Sequence, residues 1–425
     1  MPGLHRQRSA EGMPGQCQED YTVRILRTRP GPGQRSSYPG PGATGPKPRR
    51  RAGTGSPRAN APARHISLVA EAIIVRTYSN LWPRLLSWDN LLLAYHRARR
   101  RKRYKRVAVE FDFAWESNLL QLQRELQSGE YAPGVYRHFI IHEPKRRKIS
   151  AAPFRDRVVH HALVNVLEPI FERRFIFDSY ACRRHKGTHR ALDRAQGYLR
   201  RFPYFLKTDI VKFFPSVDHA VLLELIRRRV ADEQVLQLLA KILATGAGVF
   251  DDDVPKTYFP DDDLFAVARP RGLPIGNLTS QFCANVLLDP LDHFLKEELR
   301  VEGYVRYADD LVLFGRDKVV LWQARDAVSK QLQSLRLRLH GAKTYISSAR
   351  RGLKFLGFVM YPTDRRLQQS ALLRFNRRVK QLRWAYKRRR LTAPQLGVSV
   401  RAWLAHAGHA NSRGISRVLL RRARF

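Results

Sequence analysis

Two adjacent carboxylates in a tight turn are an expensive arrangement, and Asp309 and Asp310 occupy one. Residues Tyr304-Val-Arg-Tyr-Ala-Asp-Asp-Leu-Val-Leu-Phe314 read as a hairpin with Ala308-Asp309-Asp310 at its turn. Neighbouring acids repel unless a cation joins them. A generic Asp-bearing hairpin would satisfy this stretch alone. A third acid narrows the choice: in Lys207-Thr-Asp209-Ile-Val-Lys-Phe-Phe214 an aspartate closes an apolar strand. Phosphoryl transfer with two Mg²⁺ ions requires such hard oxygen ligands, converging from separate elements. One ion then serves the attacking 3′-hydroxyl and the other the triphosphate and leaving group. The long stretch of chain between Asp209 and Asp309 is no obstacle, because ligands meet in space.

The elements that must carry these acids alternate strand and helix. Tyr204 to Asp209 reads as a strand, Trp88 to Arg101 as a helix capped by Ser87, Phe139 to His142 as a strand and Asp156 to Leu167 as a helix. Asp218 to Ala244 reads as one helix capped by Asp218, followed by helices over Ser280 to Arg300 and Leu321 to Leu339. Paired strands are expected near Lys343 to Met360 and a basic helical tail from Leu372. The fold class is α+β. The acidic triplets of residues 251–253 and 261–263 fit a solvated loop better than a metal site, since Pro interrupts them and no rigid frame holds them.

Charge sets the partner class. The chain has 78 Lys and Arg against 37 Asp and Glu, a formal net charge of +41, which calls for a polyanion, most simply nucleic acid. No apolar run reaches the ~18 residues of a membrane span. No signal peptide stands out, so a cytoplasmic protein without membrane partners is expected. Cys17, Cys182 and Cys283 are too scattered for a zinc site or disulfide framework. Residues 1–65 contain ten Pro and ten Gly among Arg and Ser, a composition that cannot offset its ordering entropy, so a disordered basic extension is expected there.

Taken in order, these boxes resemble reverse transcriptases over residues from about 80 to 425. Asp209 with Phe214 resembles the first catalytic motif and Gly272 to Gln281 the second. Tyr307-Ala308-Asp309-Asp310 resembles the Y-x-D-D box, Lys343 the lysine motif after it, and Phe355-Leu356-Gly357-Phe358 the primer-grip hairpin. The resemblance implies a right hand of fingers and palm over residues 66–364 and a basic helical thumb over 365–425. It implies two Mg²⁺ ions, with Mn²⁺ able to substitute, on Asp209, Asp309, Asp310 and the Ile210 carbonyl. Lys343 is then a general acid near the departing pyrophosphate or a salt-bridging surface lysine. Phe214 lies under the sugar, where its ring excludes a ribose 2′-hydroxyl, or is a core residue like Phe213. Arg147 and Lys145, in the run Lys145-Arg-Arg-Lys148, would hold the incoming triphosphate, with Ile275, Gly276 and Gln281 beside the nucleotide. Arg183, Arg184, Tyr307, Phe355, Leu356 and Gly357 would face template or primer.

Leu273-Pro274-Ile275-Gly276 departs from the Leu-Pro-Gln-Gly of many reverse transcriptases. Ile cannot form the hydrogen bond by which Gln would check the nascent pair. The Ile-Gly-x-x-x-Ser-Gln form is similar to diversity-generating retroelement enzymes, which misincorporate opposite template adenines. That resemblance implies an RNA template, a DNA primer or cDNA, dNTPs and a small basic accessory protein. The alternatives are another bacterial reverse transcriptase, of group II intron or antiviral defence type, and a non-catalytic RNA-binding protein that keeps the hand fold. Leu372 to Arg390 fits any of them, with nine Lys or Arg and no acid, interleaved with Phe375, Leu382, Trp384 and Tyr386 in the manner of a phosphate-tracking helix. Near the end, His406 and His409 have no acidic neighbour and are expected to pack helices.

Overall fold

The computed structural model describes residues 77–142, 146–250, 257–260 and 262–423, together with the backbone of 23–24 and 75–76. It divides into two compact units, Met1–Thr77 and Tyr78–Phe425. In the first, Val23–Arg24 (β1) and Val75–Arg76 (β2) form a short antiparallel ladder. The rest of the extension expected to be disordered lies outside the described residues.

The second unit begins with helices α1 (Trp82–Leu86), α2 (Trp88–Arg99), α3 (Arg106–Asp112) and α4 (Trp115–Ser128). As its sequence predicts, α2 is capped by Ser87, whose hydroxyl accepts from the Asn90 amide. The hairpin β3 (Arg137–Ile141) and β4 (Arg147–Ala151) leads into the long helix α5 (Phe154–Glu172), and α6 (Thr188–Arg201) follows. Strand β5 (Tyr204–Asp209) takes the predicted bounds and feeds the single turn α7 (Phe213–Ser216).

The helix expected over Asp218 to Ala244 is two, α8 (His219–Arg227) and α9 (Glu233–Ala244). Asp218 caps the first as expected; Asp232 caps the second and is also bound by the amides of Leu81 and Trp82 at 2.7 and 2.8 Å. A second helix N-terminus docked on Asp232 makes the break. α10 (Leu278–His293) ends in a wider π turn, Phe294–Glu298. The predicted hairpin is β6 (Gly303–Tyr307) and β7 (Asp310–Gly315), followed by α11 (Lys318–Ser334), β8 (Tyr345–Ser348), β9 (Leu353–Phe355), β10 (Phe358–Met360) and β11 (Arg365–Leu367). The basic tail is three helices, α12 (Gln369–Lys387), α13 (Ala393–Ala407) and α14 (Arg413–Ala423). Phe375 stacks on Trp403 with centroids 3.6 Å apart, joining α12 to α13.

The central sheet is antiparallel, in the order β6-β7-β5-β8. Strand alternation gives it two buried faces. Leu206, Tyr304, Leu311 and Leu313 join the core with α5, α8, α10 and α11. Phe205, Val305, Val312 and Phe314 join a second core with α6 and the β9–β11 sheet. The buried apolar residues of the sheet are thereby committed to packing, and Asp209 and Asp310 lie at the hairpin-turn end of β5 and β7. His406 lies against Phe358 at 4.8 Å and His409 stacks on His189 at 3.4 Å, the packing role expected for the pair.

One expectation is overturned here. Asp262 is not in a solvated loop: its side chain is buried and ion-paired to Arg269 and Arg336 at 3.0 Å each, and both arginines also bind the buried Asp218 at 2.9 Å. Two arginines and two aspartates thus pin the connection before Gly272 to the start of α8. Residues 251–256 and 261 lie outside the described residues.

Candidate active site

The register of the sheet brings the acids together. Asp209 pairs directly with Asp310 across β5 and β7, and Tyr307 pairs with Asp310 across β6 and β7. Ala308 and Asp309 make the two-residue turn, with Ala308 at φ 55°, a left-handed value uncommon for a residue with a Cβ. Opposed residues share a face of a sheet, so Asp209 and Asp310 project together toward the side occupied by α6 and β9–β11. Burial, reinforced by the charge of Asp209 and then of Asp310, pushes the Asp309 carboxyl up to about 6.

Two lysines answer this negative charge. Lys343 donates to Asp209 Oδ2, and Lys207 Nζ lies 3.2 Å from Asp310 Oδ2 while donating to the Lys354 carbonyl at 2.7 Å. Lys207 was not singled out from sequence, although alternation puts it on the same face as Asp209, two residues on. Through Lys354 it ties β5 to β9. Among the described residues no three His, Cys, Asp or Glu side chains close around a common point. The donor set still suits Mg²⁺: three carboxylates and a carbonyl are hard oxygens, and Asp309, raised by burial first and by the neighbouring carboxylates second, is a ligand whose charge a divalent cation would stabilise. The carbonyl is that of Ile210. Its bridge to Leu339 runs through flanking residues, the Val211 amide donating to Arg338 and the His340 amide to Asp209. By strand alternation, Ile210's own carbonyl faces the β7 side.

The second motif packs beside this cluster. The Leu273 amide donates to the Phe214 carbonyl at 2.8 Å, and the Ser150 amide to the Ile275 carbonyl at 2.9 Å. Gly276 has φ 116°, and a Cβ there would meet Ile149 Cγ2 at 2.9 Å, so only glycine allows β4 this close. Asn277 donates to the Ser150 carbonyl at 3.0 Å and Ser280 to the Pro274 carbonyl at 2.8 Å. Phe214 is half-buried with its ring against Phe213, and Gln281 is exposed on the first turn of α10. Arg147 is exposed at the start of β4. Its neighbour Lys148 donates to the Val249 carbonyl, and Lys145 lies outside the described residues.

The residues expected against template and primer divide. Arg184 is exposed and pairs with Glu168 at 3.1 Å. Arg183 has its guanidinium enclosed by Glu172, by the carbonyls of Ile176 and Ser179, and by the Ser179 hydroxyl. It holds its own loop and offers no free donors to a nucleic acid. Tyr307 exchanges a hydrogen bond with Thr188 at 3.1 Å. Phe355 is fully buried, and Leu356 and Gly357, at φ 47° and 90°, form the two-residue turn of a tight hairpin.

The reverse transcriptase (RNA-dependent DNA polymerase) family profile matches residues 142–360, more than half of the chain and the whole of this site. The chain belongs to the reverse transcriptase family. By class it is an RNA-directed DNA polymerase. It is similar to Protein YkfC of Escherichia coli K12, with 28% identity over 292 residues that cover 59% of this chain and 71% of that protein. It is also similar to the group II intron-encoded protein LtrA of Lactococcus lactis subsp. cremoris, 27% identical over 237 residues. The mitochondrial nuclear intron maturase 2 of Arabidopsis thaliana is 26% identical over 233 residues. These matches cover 54% and 44% of the reverse transcriptase chain but 37% and 31% of the two relatives. No helix among the described residues is long and apolar enough to cross a membrane.

Proposed function

We propose that this reverse transcriptase copies an RNA template into cDNA by metal-dependent nucleotidyl transfer at Asp209, Asp309 and Asp310. The supporting observation is the register that opposes Asp209 and Asp310, with Asp309 in the adjoining turn and in hydrogen-bond contact with Asp209. These carboxylates and the Ile210 carbonyl would hold two Mg²⁺ ions, or Mn²⁺ in their place. When bound, such ions supply Lewis-acid activation of the primer 3′-hydroxyl and charge neutralisation at the triphosphate. Lys343, which donates to Asp209, would give a proton to the departing pyrophosphate. Arg147, with Lys145, receives the triphosphate from the β3–β4 hairpin. Phe214 packs under the sugar and excludes a 2′-hydroxyl, while Ile275, Gly276 and Gln281 line the nascent pair. Arg184, Tyr307 and the Leu356-Gly357 turn, seated on the buried Phe355, guide template and primer. In this reading the α2–α5 region and β3–β4 are fingers, the central sheet is the palm and α12–α14 the thumb.

Two lineages have separate support. Ile275 in place of Gln favours a diversity-generating enzyme of low fidelity at template adenines, working with a small basic accessory protein. Two of the relatives above, named as an intron-encoded protein and an intron maturase, favour an intron-type enzyme. Primer extension on an oligonucleotide-primed RNA with Mg²⁺ and dNTPs, with the products sequenced, tests both levels. Wild type is expected to extend and Asp309→Ala to lose essentially all extension. Errors concentrated opposite adenines select the diversity-generating lineage, and an even error spectrum the intron type. A folded wild type that binds RNA yet extends nothing, even with its own RNA and partners supplied, would instead be a non-catalytic RNA binder.

A further inference from the structure

On the opposite face of the sheet from the acids lies an ionic network that the chemistry does not touch. Arg306 and Asp292 are both fully buried, at 0% exposure, with Arg306 Nη2 2.5 Å from Asp292 Oδ2. Arg306 Nε donates to both Asp292 oxygens at 2.8 and 3.0 Å, and the Tyr304 hydroxyl donates to Asp292 Oδ1 at 2.7 Å. The remaining branch of the guanidinium, Nη1, donates to Asn285 Oδ1 at 3.1 Å and to the Ala308 carbonyl at 3.4 Å. The main chain of Arg306 is held as well: its amide donates to Asp178 and its carbonyl accepts from Tyr180, each at 2.9 Å.

Desolvating such a pair costs about as much as the pair returns, so overall stability is a weak reason for its presence. What it touches supplies a better one. The Ala308 carbonyl precedes Asp309, and Ala308 holds a left-handed φ that an L-residue keeps only when its surroundings enforce it. The network also spans α10, which starts just after Ile275 and Gly276, carries Asn285 at its middle and Asp292 near its end. Asn285 in turn donates to the Ala181 carbonyl at 2.9 Å. One rigid helix therefore joins the second motif, the 180s loop and the underside of the catalytic turn.

We infer that Asp292, Arg306 and Asn285 are positioning residues that fix the Ala308–Asp309 turn and so set how tightly the carboxylate cluster binds divalent cations. This rests on the polymerase reading of that cluster. The test is the full chain carrying Asp292→Asn together with Arg306→Met. The double change leaves no buried charge unpaired and keeps an acceptor for Tyr304, but it removes every bond from residue 306 to Asn285 and Ala308. Its melting temperature and its affinity for a primer–template should stay close to wild type. Mn²⁺ binding to the nucleotide-free protein, read by electron paramagnetic resonance and absent in Asp309→Ala, should weaken roughly 10- to 100-fold, as it does when a group that orients a metal ligand is lost. The Mg²⁺ concentration for half-maximal extension should rise in step, with the dNTP KM at saturating Mg²⁺ unchanged.

A folded double variant with wild-type Mn²⁺ affinity overturns the inference, as does wild-type Mn²⁺ binding indifferent to Asp309→Ala. If the double variant does not fold, Arg306→Lys carries the same expectation and the same refutation. It keeps a charge against Asp292 but lacks the planar fork that reaches both other partners. Because Mn²⁺ binding is measured without turnover, a wild type that extends no primer even with its own RNA and partners supplied would sink the polymerase reading while leaving this result to stand or fall separately.

Discussion

Asp309 is buried beside two other carboxylates, and the free energy of that arrangement belongs to the metal-free protein. Its carboxyl is driven up to about 6 by burial and by Asp209 and Asp310, so near neutral pH the folded chain carries a charge it would rather lose. Replacing Asp309 by the isosteric Asn removes that charge. The expected outcome is a metal-free protein whose melting temperature rises by roughly 2–4 °C, the shift that corresponds to about 1 kcal/mol in a unit somewhat smaller than this one. Added Mg²⁺ should stabilise wild type by mass action and leave Asp309→Asn unmoved. Thermal melts of both proteins with and without Mg²⁺ check this; an unchanged or lowered metal-free melting temperature would contradict it. The acids were legible in sequence because a strand-end aspartate and a hairpin turn fix both place and facing. Lys207 needed only the strand period to be found. The occupation of Arg183 could not be seen, because Glu172 and the carbonyls that surround it meet it only through the fold of the loop after α5.

Elements whose ends carry their own signals came out close to the sequence reading: β5 matched residue for residue, and α2 kept its Ser87 cap. The reading failed where two elements share one residue. Nothing local announces that Asp232 will cap α9 with one oxygen and receive the start of α1 with the other, since Leu81 and Trp82 lie some 150 positions away. Each cap is worth about 1 kcal/mol, so Asp232→Ala should cost about 2 kcal/mol in denaturant unfolding. A loss no larger than a single cap would show that the α1 contact contributes nothing. A second element-level device sits at the end of α10. His293 is raised to about 9 by its bond to Asp289, with Glu297 adding to it against the opposing effect of burial. A histidine raised in the folded state stabilises fully below its unfolded value of 6.5 and loses that contribution as pH climbs to about 9. His293→Gln should therefore cost on the order of 1–2 kcal/mol near pH 6, after discounting the exposed Glu297, and almost nothing above about pH 9.5. Urea melts at the two pH values decide it; a pH-independent cost would mean the side chain acts by packing.

At the scale of the molecule the strongest fact is the charge of +41, and the structure shows where part of it is spent. Many cations in the body of the chain are neutralised internally, as Arg269 and Arg336 are by Asp218 and Asp262. α12 is different. Its inner face, Phe375, Val379 and Leu382, is buried, while Arg377, Arg378 and Lys380 point outward and form no ion pair among the described residues. Arg388 and Arg390 lie over Trp384 at 4.3 and 5.1 Å, a cation–π arrangement that keeps an aromatic face and two charges together at the surface. Sequence composition could say that such a helix exists, but not which cations were already satisfied; only the packing of α12 on α13 separates the faces. If the outward cations meet phosphates, each should release about 0.9 counterion on binding duplex. Changing Arg377, Arg378 and Lys380 to Gln should then make the slope of log K against log [salt] for an RNA–DNA duplex shallower by roughly 2–3, and weaken binding alike on unrelated sequences. Filter binding across a salt series measures both. An unchanged slope with intact folding would remove α12 from the nucleic-acid surface and leave the duplex to be held by the body of the chain alone.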